Sequence, residues 1–422
     1  MRSVLADPAA PSPIGAARAR RRRPRLVLAV LLAGVVAAVL VVTRLVDGPY
    51  VAAPPADAPA AADPVAAATA LDSLERALAA GDGEAAASLA PADDAAARSL
   101  LEALAGNART LRVRDLDLRY VDTLGVPAED GSWAVRADLT WSLGGADRGV
   151  ARSEVEVGLR SSAQAVGVTG FTGGRVPLWL RGPVLVDRGE GTLVITAGAD
   201  PAPYSLLARR AVPQAAKVLG DSAGPLVVEV PQDAAGLDAV LGVPEGTYRE
   251  VAAVTASVDG LLSTSSPVHV FVNPAELGRL RRTGAQVVMT HEAVHAVTGA
   301  PTSRAPVWLV EGFADYVALL DVDLPLSRTA AQVLERVRED GVPDRLPDES
   351  DFDLTAPHLG AAYEAAWLAC RALASLAGED GLVEVYRRTS DGEDVAAALA
   401  AVGTDPAEVT RTWQRLLVEA AG

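Results

Sequence analysis

The sequence predicts an α+β protein with an apolar N-terminal helix, a first unit of helices and strands, and a second unit that ends in helices. An uncharged apolar run follows an arginine cluster near the N-terminus. Beyond it, helical spacing of apolar residues gives way to an alternation of apolar and polar residues that is typical of strands. Helical spacing returns in the C-terminal part.

Residues 1–25 are basic and contain four prolines, which argues against a long helix there. The run Leu26–Thr43 is almost wholly apolar and uncharged, and it is long enough to cross a bilayer. We therefore expect a basic cytoplasmic tail over residues 1–25 and a transmembrane helix over residues 26–46. Because arginine clusters favour the cytoplasmic side, the remaining chain should lie outside the cytoplasm. A cleaved signal peptide is the alternative, although its apolar region is normally shorter.

Residues 47–66 are rich in proline and alanine, which predicts an extended linker between the membrane and a folded body. The chain carries a formal net charge of −16 although its first 25 residues are strongly basic. Such an acidic body does not suit binding to nucleic acid or to an anionic membrane surface. The single cysteine, Cys370, excludes an intrachain disulfide, and its apolar helical surroundings predict a core position.

Residues 67–200 predict a first α+β unit in which two helical segments precede a series of strand-like segments. The helical segments are Leu71–Leu78 and Leu89–Leu104, and the strand-like ones are Leu111–Val121, Trp133–Leu143, Val155–Leu159, 165–171 and 178–197. Helices followed by a curled antiparallel sheet resemble the NTF2-like and cystatin-like folds. Alternating arginine and aspartate on the strands indicates a solvated sheet face, and we find no catalytic cluster there.

Residues 201–422 predict a second unit with a helix at 201–219, a few strands and a helical C-terminal part. The strands are Leu226–Val230, Tyr248–Val258 and Val268–Val272, the last two able to form a hairpin through Gly260. The later helices are Ala330–Glu339, Tyr363–Ala377, Leu382–Arg388, Val395–Ala401 and Pro406–Ala421, with a loop over Gly341–Pro357. His269 alternates with apolar residues, so we interpret it as a strand-face residue and not a ligand.

The most informative stretch places two of the four histidines four residues apart, as His291-Glu292-Ala293-Val294-His295. On a helix these two imidazoles lie on one face, one turn apart, and both can reach one Zn²⁺ at about 2.0–2.1 Å. Glu292 projects to one side of such a metal. There its carboxylate could take a proton from an attacking water.

A third ligand is available on a second helical segment, Trp308–Tyr316. Fifteen residues separate His295 from Glu311, which is enough chain to bring this segment back beside the first helix. Asp315 follows Glu311 by four residues and shares its helical face. It is placed to accept a hydrogen bond from the outer ring nitrogen of a ligand histidine, which fixes the ring orientation.

The sequences HEAVH and WLVEGFADY together resemble the gluzincin branch of the HExxH zinc metallopeptidases. The resemblance implies that His291, His295 and Glu311 bind Zn²⁺ and that Glu292 is the general base. It further implies a zincin-like unit over residues 201–422, in which a small sheet and the zinc helices precede a C-terminal helical lobe. An edge strand would pair with an extended substrate, either Val268–Asn273 or Tyr248–Val258.

Tyr363 is a further catalytic candidate, because a phenol from the helical lobe can donate a hydrogen bond to the oxyanion of peptide hydrolysis. Packing at the start of a helix is the alternative explanation for this tyrosine. His358 is a lesser candidate in the same loop-to-helix entry, and Tyr316 is expected in the core.

These features predict a single-pass membrane protein whose extracytoplasmic body is a zinc metallopeptidase acting on peptide or protein substrates. The alternative is a catalytically inactive, membrane-anchored scaffold or partner-binding protein that keeps the metal for structure. An aminopeptidase would need an acidic anchor for the substrate amine, and no G-A-M-E-N-like element is evident near residues 259–273, which favours an endopeptidase or a narrow processing role. The substrate preference and the oligomeric state stay open.

Overall fold

The computed structural model describes residues 62–162, 165–220, 225–353 and 358–422. The predicted tail, the predicted transmembrane helix over residues 26–46 and most of the linker lie outside these ranges. Within them, no helix has the length and apolar character that crossing a membrane requires. The fold class is confirmed as α+β, with two sheets and many helices.

Three helices open the described chain, at Pro64–Ala80, Gly83–Ser88 and Ala95–Leu111. Each begins after an aspartate, Asp63, Asp82 or Asp94, whose side chain accepts hydrogen bonds from main-chain N–H groups of the first turn. The second predicted helix was placed too early, at Leu89. The chain turns at Pro91 before the Asp94 cap, so the helix begins only at Ala95.

The first sheet is an antiparallel meander of four strands, in the order β1-β2-β3-β4. Its strands are β1 (Val113–Leu124), β2 (Ser132–Leu143), β3 (Ala151–Ser161) and β4 (Val166–Gly174). Every second residue of β2, such as Val135 and Leu139, is buried. On the other face Arg119 contacts Asp138 at 2.8 Å, in agreement with the predicted solvated face.

The second sheet has five strands in the order β5-β6-β7-β9-β8. Its strands are β5 (Leu185–Gly189), β6 (Thr192–Thr196), β7 (Leu226–Val230), β8 (Ala253–Ser257) and β9 (Val268–Val272). The central strands β6, β7 and β9 run parallel, whereas the edge strands β5 and β8 run antiparallel to their neighbours. The predicted hairpin through Gly260 is therefore present as β8 and β9.

Two strands belong to a different sheet from the one that the sequence suggested. The segment 178–197 was expected to extend the first unit, but Leu178–Leu180 is a 3-10 turn and β5 and β6 pair into the second sheet. The helix Ala202–Leu219 is the crossover that a parallel β6–β7 pair requires, so the sheet continues across residue 200.

Both faces of the second sheet are covered. Leu193, Val227 and Phe271 point into the same hydrophobic core as the first unit. The alternate residues, including Val228 and Val270, pack against Ala202–Leu219 and the helix that carries the histidine motif. Strands buried on both faces explain the nearly continuous apolar sequence of β7 and β9.

Helices complete the second unit. Their bounds are Ala234–Leu241, Pro274–Arg279, Arg282–Thr298, Val307–Leu319, Leu326–Thr329, Ala331–Asp340, Leu359–Ser390, Val395–Ala401 and Pro406–Ala421, with short 3-10 turns at Ala300–Thr302 and Glu349–Phe352. The helix Leu359–Ser390 is broken at Gly378, which has φ 77° and ψ 170°. It therefore consists of two helices, as the sequence predicted. The helices after residue 330 share one core with Val307–Leu319.

Candidate metal centre

Arg282–Thr298, here named the motif helix, carries HEAVH and lies against the second sheet. Met289 and Ala293 are fully buried against the sheet. The helix ends at Gly299, whose φ of 68° is the left-handed conformation that glycine adopts at little cost. With these apolar residues turned to the sheet, His291 and His295 point away from it. Their rings are perpendicular, with centroids 4.5 Å apart.

Val307–Leu319, here named the glutamate helix, packs between the motif helix and the long helix Leu359–Ser390. Gly312 explains its close contact with the long helix. A Cβ atom at this position would lie only 2.2 Å from the carbonyl oxygen of Ala366 and 2.9 Å from the sulfur of Cys370. Glycine therefore lets the backbone next to Glu311 approach the long helix directly. Cys370 is fully buried there, as predicted.

Three side chains converge between the two helices. His291 Nε2 lies 2.9 Å from His295 Nε2. The Oε2 atom of Glu311 lies 3.2 Å from His291 Nε2 and 3.4 Å from His295 Nε2. The structure thus brings together the three residues that the sequence singled out as metal ligands.

This geometry fits a tetrahedral metal site. Ligand atoms about 2.0–2.1 Å from a zinc ion lie about 3.3–3.4 Å from one another, so the two distances to Glu311 match and the two nitrogens need to separate only slightly. Two imidazole nitrogens and one carboxylate oxygen are donors that suit Zn²⁺. His291, His295 and Glu311 are therefore able to hold such an ion and to leave a fourth position for water or substrate.

Asp315 orients one of the histidines. Its Oδ1 lies 2.8 Å from Nδ1 of His291, which turns Nε2 of the same ring toward Glu311. This is the contact that the E-x-x-x-D spacing predicted. His295 differs, because its Nδ1 is buried and has no hydrogen-bond partner among the described residues.

The charges around the site favour binding of a cation. Burial would lower the pKa of His291, but the carboxylates of Asp315 and Glu311 outweigh it and raise this pKa well above its usual value. Burial would likewise raise the pKa of Glu311, yet His295 and His291 hold it far below the normal range. A metal ion bound here therefore has to displace a proton, since ligand imidazoles are neutral.

Glu292 and Tyr363 line a cavity of about 210 Å³ beside the cluster, together with His291 and Asp315. Glu292 is only 8% exposed. The ring centroid of Tyr363 lies 6.4 Å from that of His291. Burial and the charges of Glu311, Glu292 and Asp315 raise the pKa of Tyr363, so its phenol stays a hydrogen-bond donor. The structure thus brings both predicted catalytic residues to the wall of the site.

Two other residues lie elsewhere. His358 lines a separate cavity beside Trp413 in the helical lobe. Tyr316 packs only partly into the core, because its hydroxyl reaches out to donate a hydrogen bond to Glu379 at 3.2 Å. The prediction of a core position for Tyr316 was therefore only partly right.

The sequence did not reveal the partners of His269. This residue is on the strand where it was expected, but its Nδ1 lies 2.7 Å from Glu229 and its Nε2 lies 2.9 Å from Asp147, with all three side chains buried. Burial opposes the charge of His269, but the two carboxylates raise its pKa to about 9. The only hint in the sequence was a glutamate in the middle of the apolar strand β7. Each ring nitrogen has its own carboxylate partner, so the three side chains form a buried ion-pair network.

Comparison of the sequence with models of known protein families and with curated proteins finds no match in either. The geometry of His291, His295, Glu311 and Glu292 is therefore the basis for a functional proposal.

Proposed function

We propose that this protein is a membrane-anchored, extracytoplasmic zinc metallopeptidase of the gluzincin type. One observation carries the proposal. The donor atoms of His291, His295 and Glu311 lie 2.9–3.4 Å apart, and Glu292 lines a cavity that His291 also lines. The membrane anchor is inferred from the apolar run after the arginine cluster.

Each site residue has a separate role in the proposed peptide hydrolysis. When bound, zinc supplies a Lewis acid that polarises the substrate carbonyl and makes water more acidic. Glu292 takes the proton of the attacking water and returns it to the leaving amine. Tyr363 donates a hydrogen bond to the developing oxyanion. Asp315 holds His291 in the orientation that presents Nε2 to the ion.

The second sheet offers a place for the substrate backbone. Strand β8 is an edge strand, since its only neighbour in the sheet is β9. It lies against the motif helix, and residues 252 and 253 line the cavity of the site. An extended peptide can add to such an edge as a further strand. The sequence left two candidates for the strand that pairs with substrate. The position of β8 favours the one within Tyr248–Val258.

The same cavity suggests the side chain that is accepted next to the cleaved bond. Its walls beyond the site residues are Ala252, Ala253, Val287 and Val288, and its volume is about 210 Å³. Small apolar walls favour an aliphatic side chain. We therefore propose peptides with a valine- or leucine-sized residue at this position as substrates.

Metal content and cleavage of a peptide library by the full-length protein test the proposal together. We expect about one zinc per chain by elemental analysis, lost or strongly weakened by Glu311→Ala. Glu292→Gln should keep the zinc and lower kcat by about 10²–10⁴-fold, because the general base is removed. Glu335→Gln, an exposed position on Ala331–Asp340, is the matched control and should change neither.

The outcomes separate the two candidate functions. A protein that takes up no zinc, or a Glu292→Gln variant that still cleaves, would contradict the peptidase mechanism. Zinc retained without hydrolysis of any peptide would favour the scaffold. A structural zinc site is usually closed by four protein ligands, whereas this cluster has three among the described residues.

A further inference from the structure

We infer that Thr255 is a positioning residue for Glu292, an inference that rests on the proposed peptidase function. The Thr255 hydroxyl lies 2.7 Å from Oε2 of Glu292 and 3.0 Å from the main-chain oxygen of the same residue. It has one proton to donate, and the shorter contact is the one to the carboxylate. The proposed base is thus held by a side chain from outside the histidine motif.

The strand that carries Thr255 is anchored at both ends. At its C-terminal end, the guanidinium of Arg175 donates hydrogen bonds to the carbonyls of Ser257 at 2.8 Å and Val258 at 2.9 Å. At its N-terminal end, the main-chain N–H of Asn273 donates to Ala252 at 3.0 Å. Between these points Thr255 pairs with Val270 of β9. The hydroxyl therefore projects from a fixed backbone.

Arg175 follows β4, so one of the two anchors comes from the first unit. Its guanidinium also donates to the carbonyl of Leu241. A series of contacts thus links the first unit through Arg175 to β8, and β8 through Thr255 to Glu292. This gives the first unit a part in the geometry of the site.

The expected effect of the hydroxyl is on the reaction and not on substrate binding. The terminal torsion of a glutamate side chain has broad, poorly defined minima, so an unrestrained carboxylate samples many orientations. A hydrogen bond to Oε2 restricts this freedom before the substrate arrives and leaves Oε1 to receive the proton. Pre-orientation of a reacting group lowers the activation barrier, because the entropy of ordering that group is lost before the reaction begins. A misplacement of about 1 Å can cost about 10²-fold in rate.

Steady-state kinetics of the full-length, zinc-loaded protein on a cleaved library peptide test the inference. Thr255→Val removes the hydroxyl with almost no change in shape. We expect kcat to fall by about 10- to 100-fold, while KM stays within about twofold and zinc content stays at about one per chain. Thr255→Ser keeps the hydroxyl and should recover most of kcat. Thr140→Val on β2, which removes a strand hydroxyl that donates to the main-chain carbonyl of Asp115, is the matched control and should behave as wild type.

Four results would overturn the inference. They are an unchanged or raised kcat in Thr255→Val, a rise in KM alone, a failure of Thr255→Ser to recover kcat, and a loss of zinc or of the melting transition in both Thr255 variants. A wild-type protein that binds zinc but cleaves nothing would instead refute the proposed function, and the inference with it. The wild-type measurement thus distinguishes the two failures.

Discussion

The buried ion-pair network around His269 predicts a specific dependence of stability on pH. His269 lies on β9, Glu229 lies on β7, and Asp147 comes from the turn between β2 and β3. The network therefore joins the second sheet to the first. Glu229→Gln is the most conservative perturbation, because the amide oxygen can still accept a hydrogen bond from Nδ1 of His269 while one negative charge is removed.

The magnitude follows from the pKa of His269, which is about 9 in the folded protein against an ordinary value of 6.5. A difference of one unit between the pKa values of the folded and unfolded states corresponds to about 1.4 kcal/mol. Protonation of His269 therefore adds about 3 kcal/mol to the free energy of unfolding. Since the folded protein holds the proton more tightly, this contribution is complete below pH 6.5. It is lost as the pH rises through 9.

Urea unfolding of the full-length protein at pH 6.5, 7.5 and 9 measures this effect. Glu229→Gln removes about half of the stabilising charge, so it should be less stable than wild type by about 1–2 kcal/mol at pH 6.5. The difference should shrink toward zero by pH 9, where His269 loses its proton in the wild type as well. Glu250→Gln, at an exposed position, is the control and should show no such trend. A difference between Glu229→Gln and wild type that is the same at all three pH values would refute a charged His269.

Two further predictions concern the helices of the site. Gly312→Ala forces a Cβ against the carbonyl of Ala366, so it should lower stability by about 1–3 kcal/mol and weaken zinc binding, both measurable by calorimetry. Gly106→Ala, where a Cβ meets nothing within 4 Å, should be neutral or stabilising, and equal effects of the two changes would contradict the close-approach explanation. Tyr363→Phe should lower kcat by about 10- to 100-fold at unchanged KM and zinc content, and an unchanged kcat would leave Tyr363 as a packing residue.

Much of the site could be predicted from local sequence. The spacing of His291 and His295, and of Glu311 and Asp315, equals one helical turn, so their faces were determined once the helices were recognised. Side-chain caps such as Asp63 likewise fix helix starts from residues a few positions apart. Hairpin partners β8 and β9 are close in sequence, which is why their pairing was expected.

Contacts between distant residues required the tertiary structure. The sequence of β6 does not say whether it pairs with β4 or with β7, because either sheet would bury its apolar residues. The partners of His269 come from 40 and 122 positions away, and Thr255 meets Glu292 across 37 positions. Such pairings depend on how whole elements pack.

The sequence by itself therefore determined which residues share a helical face and so which ones are candidate metal ligands. Only the tertiary structure decided which edge strand lies beside Glu292, why residue 312 has to be glycine, and how the first unit supports the second. The physical reason is the separation along the chain over which each kind of interaction acts. Helical periodicity acts over about four residues, whereas sheet order and close backbone approach arise from packing between segments that the chain brings together only on folding.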